Sequence, residues 1–131
     1  MRCRVVGLAL LLSLTACGGP RTIVVPLDAG AAHLVVGELL HIDLGPANSS
    51  IGDAWYLVGP PDATVLGEGR EALDVCDEPG CGGRAGWTFP THGEGTTWVV
   101  FQYCYRSGPQ DCRAEPDRGP MDPVRFTVTV G

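Results

Sequence analysis

Six cysteines, three histidines and a run of carboxylates are the residues of this 131-residue chain whose types could do chemistry. Cys76, Cys81, Cys104 and Cys112 are spaced C-x4-C and C-x7-C. Neither spacing is the C-x-x-C of a dithiol redox motif. A zinc site would want paired Cys and His ligands, whereas His33, His41 and His92 stand apart along the chain, so neither a metal nor a cofactor is expected. No nucleophile elbow is present. Glu68, Glu71, Asp74, Asp77 and Glu78 cluster in a Gly-rich, loop-like stretch, where a solvated face fits better than a glycosidase pair. The residues therefore do not point to an enzyme. What four thiols can do is brace the fold, as two disulfides in an oxidising compartment with three possible connectivities. The short spacings favour Cys76–Cys81 and Cys104–Cys112, each contributing roughly 2–3 kcal/mol through loop closure.

An oxidising compartment is implied by the start of the chain. Arg2 and Arg4 are followed by the apolar run from Val5 to Leu14, too short to span a bilayer, and by Leu14-Thr15-Ala16-Cys17-Gly18. This junction resembles the lipobox of bacterial lipoproteins. The resemblance implies that residues 1–16 are a signal peptide removed on export, taking Cys3 with them. The Cys17 thiol then receives diacylglycerol, and residues 17–21 become anchor and spacer. Several acyl chains on one residue hold far more firmly than the single chain that gives only marginal binding. The expected location is the bacterial cell envelope, tethered to a membrane through Cys17 and facing the exported side. No other apolar run reaches ~18 residues. The formal charge is −6. Both Arg2 and Arg4 leave with the signal, making the remainder more acidic, the wrong sign for a nucleic-acid partner.

The elements that must position these residues read as strands. Thr22 to Leu27 is a β-rich run ending at Asp28-Ala29-Gly30. Leu34-Val35-Val36, the turn Gly37-Glu38 and Leu39 to Leu44 give a second and third strand, with Leu40, Ile42 and Leu44 facing inward. Gly45 to Ser50 is a loop by composition, and Ala54 to Val58 is a strand closed by Gly59-Pro60-Pro61-Asp62. Between Ala63 and Gly95 the signals are weaker, with short candidates at Thr64-Val65-Leu66 and Trp87-Thr88-Phe89. Thr96 to Tyr105 is the strongest β segment, and Val124 to Val130 alternates cleanly. Arg106 to Pro123 is polar and Pro-rich. Turns every ten or so residues without helical periodicity predict an all-β, antiparallel β-sandwich over residues 22–131.

In this order the segments resemble the chagasin-type inhibitors of papain-like cysteine proteases. Val36 to Leu44, then Asn48-Ser49-Ser50-Ile51-Gly52, then Ala54-Trp55-Tyr56 is similar to the opening half of that family, whose first inhibitory loop is Asn-Pro-Thr-Thr-Gly. Asn48 and Gly52 match it in position, and Ser49, Ser50 and Ile51 replace the middle. The second family loop, Gly-x-Gly-Gly, is matched by Gly80-Cys81-Gly82-Gly83. The third, Arg-Pro-Trp after a Tyr, is only partly kept: Tyr103 is followed by Cys104-Tyr105-Arg106-Ser107, without Pro-Trp. The resemblance spans about Leu34 to Val130. It implies an immunoglobulin-like sandwich, a papain-like cysteine protease as partner, and inhibition by three loops occluding the cleft without covalent chemistry. Gly52, Gly80, Gly82 and Gly83 would let backbone approach closely. Tyr105 and Arg106 are residue types that carry interface energy. A domain that kept this fold but binds something else, an immunoglobulin-like envelope module without inhibition, is the alternative.

Overall fold

The computed structural model describes residues 18–75 and 83–131. The expected signal peptide and Cys17 lie outside the described residues, as do Cys76, Gly80, Cys81 and Gly82. Among the described residues, eight strands are arranged in two four-stranded sheets. They are β1 (Thr22–Pro26), β2 (Ala31–Leu34), β3 (Leu39–Ala47), β4 (Asp53–Gly59), β5 (Arg70–Val75), β6 (Gly83–Pro90), β7 (Gly95–Tyr105) and β8 (Val124–Val130). One sheet has the order β1-β3-β6-β5 and the other β2-β8-β7-β4. No helix among the described residues is long and apolar enough to cross a membrane.

The alternation expected of Leu40, Ile42 and Leu44 places all three in the core, because successive side chains of a strand point to opposite faces. Phe89 joins them from β6. The facing sheet contributes Val99, Phe101 and Tyr103 from β7 and Phe126, Val128 and Val130 from β8. Trp55 closes the same core. Trp98 points the other way, half exposed, with the Arg125 guanidinium carbon 4.1 Å from its ring centroid. That contact covers part of an aromatic surface that the core cannot take.

Four of the six strand pairings are antiparallel, as expected, but β1 runs parallel to β3 and β2 parallel to β8. A short 3-10 turn at Leu27–Ala29 splits β1 and β2 between the two sheets. Neither strand pairs with the one that follows it, so no hairpin imposes an antiparallel direction. Three further expectations change. The second strand ends at Leu34, and Val35 and Val36 lie exposed in the following turn, where the Glu38 carboxylate accepts the Val35 N–H at 2.9 Å. Thr64 and Val65 lie in a turn rather than a strand, and Leu66 makes only an isolated antiparallel bridge with Thr91. Asp62 nucleates the turn by accepting from both the backbone and the hydroxyl of Thr64, which draws Val65 and Leu66 into the core. The stretch holding Glu71, expected as loop, is the edge strand β5, whose side chains at 70–73 are all exposed and so carry little hydrophobic signal.

A register shift in β3 between Asp43 and Gly45 matters for the loops that follow. Gly45 takes a φ of 91°, and its N–H is accepted by the Asp43 carboxylate at 2.9 Å. Such a bulge bends the strand. Beyond it Pro46 and Ala47 still pair with Arg84 and Gly83, so the end of β3 and the start of β6 reach one edge of the sandwich together.

Phe101 is fully buried between the sheets, 6.2 Å from the Trp87 ring. Phe101→Ala should therefore lower unfolding free energy by about 3–5 kcal/mol in urea titration. A loss below about 1 kcal/mol would mean that the sheets do not close on this side chain.

Candidate functional site

The Asn48–Gly52 segment is a compact turn rather than an open loop. Ser49–Ile51 forms one turn of 3-10 helix, with Asn48 as its N-cap. The Asn48 side-chain oxygen accepts from the Ser50 N–H at 3.1 Å, the usual way a short polar residue satisfies a free backbone donor. Gly52 closes the turn at a φ of 110°, where a side chain would be strained. The Asp53 N–H donates to the Asn48 carbonyl at 3.1 Å, and the Asn48 N–H donates to the Asp53 carboxylate at 2.9 Å. The segment is thus tied at both ends to the first residue of β4.

Strand pairing brings the third segment alongside it. In the β4–β7 register Asp53 lies opposite Tyr105 and Ala54 opposite Cys104. Arg106 follows at a φ of 49°, the only positive value among described non-glycine residues. This conformation lets its N–H donate to the Gly52 carbonyl at 2.9 Å and its Nε to the Ile51 carbonyl at 3.1 Å. A Cβ on Gly52 would sit 2.4 Å from the Arg106 Cγ, so the absence of a side chain at Gly52 is what allows the approach. Gly83 pairs with Ala47, immediately before Asn48. Residues 48–52, Gly83 and residues 105–107 therefore share one end of the sandwich, with Ile51 and Arg106 exposed there.

The third segment is braced from behind. Cys104 and Cys112 form a disulfide with a Cα–Cα distance of 5.2 Å, closing the loop that contains Arg106 and Ser107. The Ser107 hydroxyl accepts from the Arg113 N–H at 2.8 Å and lies 3.1 Å from the Tyr105 carbonyl, to which it donates. Its side chain therefore works within the loop. The Tyr56 hydroxyl donates to the Ser107 carbonyl at 3.3 Å.

Sequence reasoning missed Asp53 and Arg118. The Arg118 guanidinium meets the Asp53 carboxylate with two bonds, Nε at 2.9 Å and Nη2 at 3.1 Å. The Tyr103 hydroxyl donates to the same carboxylate. The guanidinium carbons of Arg106 and Arg118 each lie 5.1 Å from the centroid of the Tyr105 ring. The two Arg118 bonds chiefly, with those from Tyr103 and the Asn48 N–H, hold the Asp53 carboxyl at about 2 rather than its ordinary 3.8. Burial first, and then the bond to Asp53, push the Tyr103 hydroxyl up to about 12. An acidic residue directly after the loop glycine was a faint signal for Asp53. Nothing local marks Arg118, which meets it from 65 residues away.

A shallow depression of about 360 Å³ lies between Asn48, Ile51 and Gly83 on one side and Asp117 and Arg118 on the other. Among the described residues no group of His, Cys, Asp and Glu is arranged to hold a metal ion. The site offers backbone, one exposed aliphatic side chain and guanidinium groups. Such an edge is suited to contact.

The two packed four-stranded sheets make an immunoglobulin-like β-sandwich, which is the fold of the chagasin-type cysteine protease inhibitors. The chain is similar to the cysteine protease inhibitor EhICP2 from Entamoeba histolytica, with a TM-score of 0.63 and 17% identity over 87% of this chain and 99% of that one. It is also similar to amebosin, with a TM-score of 0.54 and 19% identity over 86% of this chain and 97% of the other. No protein-family model matches the sequence, and no curated protein does.

Because the Asp53 value is depressed by folding, the stabilisation is present above the ordinary carboxylate value and is lost as pH falls from about 4 through about 2. Urea titrations stepped from about pH 7 downward should show this contribution unchanged to about pH 5. A loss of about 2 kcal/mol should follow by about pH 2. Asp53→Asn should lack that part of the acid limb, and an acid limb identical to wild type would show that the network does not form.

Proposed function

We propose that this chain inhibits papain-like cysteine proteases by laying the end formed by residues 48–52, Gly83 and residues 105–107 across the active-site cleft, while a lipid on Cys17 tethers it in the cell envelope. The observation that carries the reading is the lock between Arg106 and Gly52. It joins two loops that are distant in sequence into one rigid edge made largely of backbone. A protease cleft is built to receive extended backbone and cut it. A turn held by its own hydrogen bonds can fill that cleft without presenting a peptide in attack geometry, so occlusion needs no covalent step. Rigidity matters because loops ordered in advance lose less entropy on binding. Ile51, Tyr105 and Arg106 supply contact area and a planar donor fork at the same edge. The likeness to EhICP2, a cysteine protease inhibitor, supports the same reading.

Titration of papain with residues 18–131 tests it. Progressive loss of hydrolysis at or below micromolar inhibitor is expected, and no loss at that concentration would favour an immunoglobulin-like envelope module with another partner. Gly52→Ala should raise the inhibition constant about tenfold, through its strained φ and its collision with Arg106. An unchanged constant would remove this edge from the interface.

The tether is tested separately. Cys17→Ser should abolish labelling by a palmitate analogue in cells and release the protein from the membrane fraction. Equal labelling of the variant would overturn the anchor.

A further inference from the structure

The β7–β8 connection, residues 106–123, contains no regular strand, yet it is fastened at several points. Long irregular connections in compact domains are uncommon and often functional. The disulfide and the Ser107–Arg113 bond hold its first half. In its second half, Gly119 lies against the Tyr103 ring so closely that a Cβ there would be 2.4 Å from Cδ1. The turn just before it is closed by the Arg118 and Gly119 N–H groups donating to the Glu115 carbonyl, at 2.9 and 3.2 Å. This presentation sends the Arg118 guanidinium to the Asp53 carboxylate and to the Tyr105 ring.

Those two contacts reach both loops of the binding edge. The Asp53 carboxylate is also what the Asn48 N–H donates to, so Arg118 acts on the Asn48–Gly52 turn through a shared acceptor. Tyr105 is the neighbour of Arg106, whose N–H holds Gly52. A lysine could supply the charge but not the two-pronged geometry that fixes the carboxylate plane. The Asp53 side chain is largely buried, so the two-pronged pair steadies the fold as well as ordering the groups it touches, and the two effects are read by separate measurements.

We propose that Arg118 is a positioning residue for protease binding: from the β7–β8 connection it holds the Asn48–Gly52 turn, through Asp53, and Tyr105, through its ring, in the arrangement that meets the cleft. This rests on the inhibitor reading and adds a fourth segment to the three loops expected from sequence.

The test compares the full chain with Arg118→Ala, Arg118→Lys, Asp53→Asn and the double variant Asp53→Asn/Arg118→Ala, measuring papain inhibition, melting temperature and amide exchange. Arg118→Ala should raise the inhibition constant about tenfold, since pre-ordering of roughly one side chain's worth is lost, and should also lower the melting point by several degrees as the Asp53 carboxylate loses its ion-pair partner. The Asn48 amide should exchange faster. Arg118→Lys should recover part of the affinity. The double variant should be little weaker than either single variant, because both remove one shared contact. A purely structural role would move the melting point without that coupling. If Arg118→Ala does not fold, the Arg118→Lys constant decides, and a value equal to wild type overturns the proposal. Inhibition by wild type that no Arg118 variant weakens, or fully additive effects of Asp53 and Arg118, also overturns it while leaving the inhibitor reading intact. Failure of wild type to inhibit overturns the inhibitor reading and this proposal with it.

Discussion

The antiparallel pairing of β4 with β7 is the constraint on which the loop-bearing end depends, because its register sets Asp53 opposite Tyr105. From that pairing, two loops separated by some fifty residues become neighbours, and the first residue after one faces the last strand residue before the other. The Asp53 carboxylate then gathers donors from three directions: the Asn48 N–H, the Tyr103 hydroxyl and the Arg118 guanidinium. A largely buried carboxylate without such partners would be costly, and with them it becomes the post to which the whole end is tied. Shifting the strand pair by one residue would turn these side chains to opposite faces and dissolve the arrangement.

Rigidity at this end comes from several small devices acting on different scales. A capped 3-10 turn orders residues 48–52 locally, and a bulge at Gly45 steers β3 toward the edge. The disulfide between Cys104 and Cys112 closes the neighbouring loop covalently. Arg106, in a left-handed conformation that costs a non-glycine residue something, is held there by bonds to the two carbonyls of the opposing loop. Packing does not hold this conformation, since Arg106 is exposed and contributes nothing to the core.

Tyr105 to Ser107 departs in composition from the third loop that the sequence resemblance led us to expect, and the structure shows how this segment is restrained without proline. Proline stiffens a loop by fixing φ. Where the family carries Arg-Pro-Trp, this chain has Tyr105, Arg106 and Ser107 inside a disulfide-closed loop, with the Ser107 hydroxyl bridging to Arg113. Covalent closure and internal hydrogen bonds replace the ring of proline as restraints on the backbone. Tyr105, flanked by two guanidinium groups, brings an aromatic ring to the region, although it is half-buried.

Much of this fold is legible along the chain, for reasons that are local. Period-two alternation reports which face of a strand is buried, so Leu40, Ile42, Leu44, Phe126, Val128 and Val130 can be assigned to a core from the order of residue types alone. The nearness of Cys104 and Cys112 in sequence makes their pairing readable as well. Strand β5 is not legible, because an exposed edge strand has no buried face to create alternation. The parallel directions of β1 and β2 also escape, since they depend on where a short turn divides the chain between sheets. At the candidate site, glycines and short polar residues announce turns, but the meeting of Gly52 with Arg106 and of Asp53 with Arg118 follows only from register and from the course of a long connection. Such contacts arise between residues far apart in the chain, and only tertiary structure determines which of the many possible pairs is made.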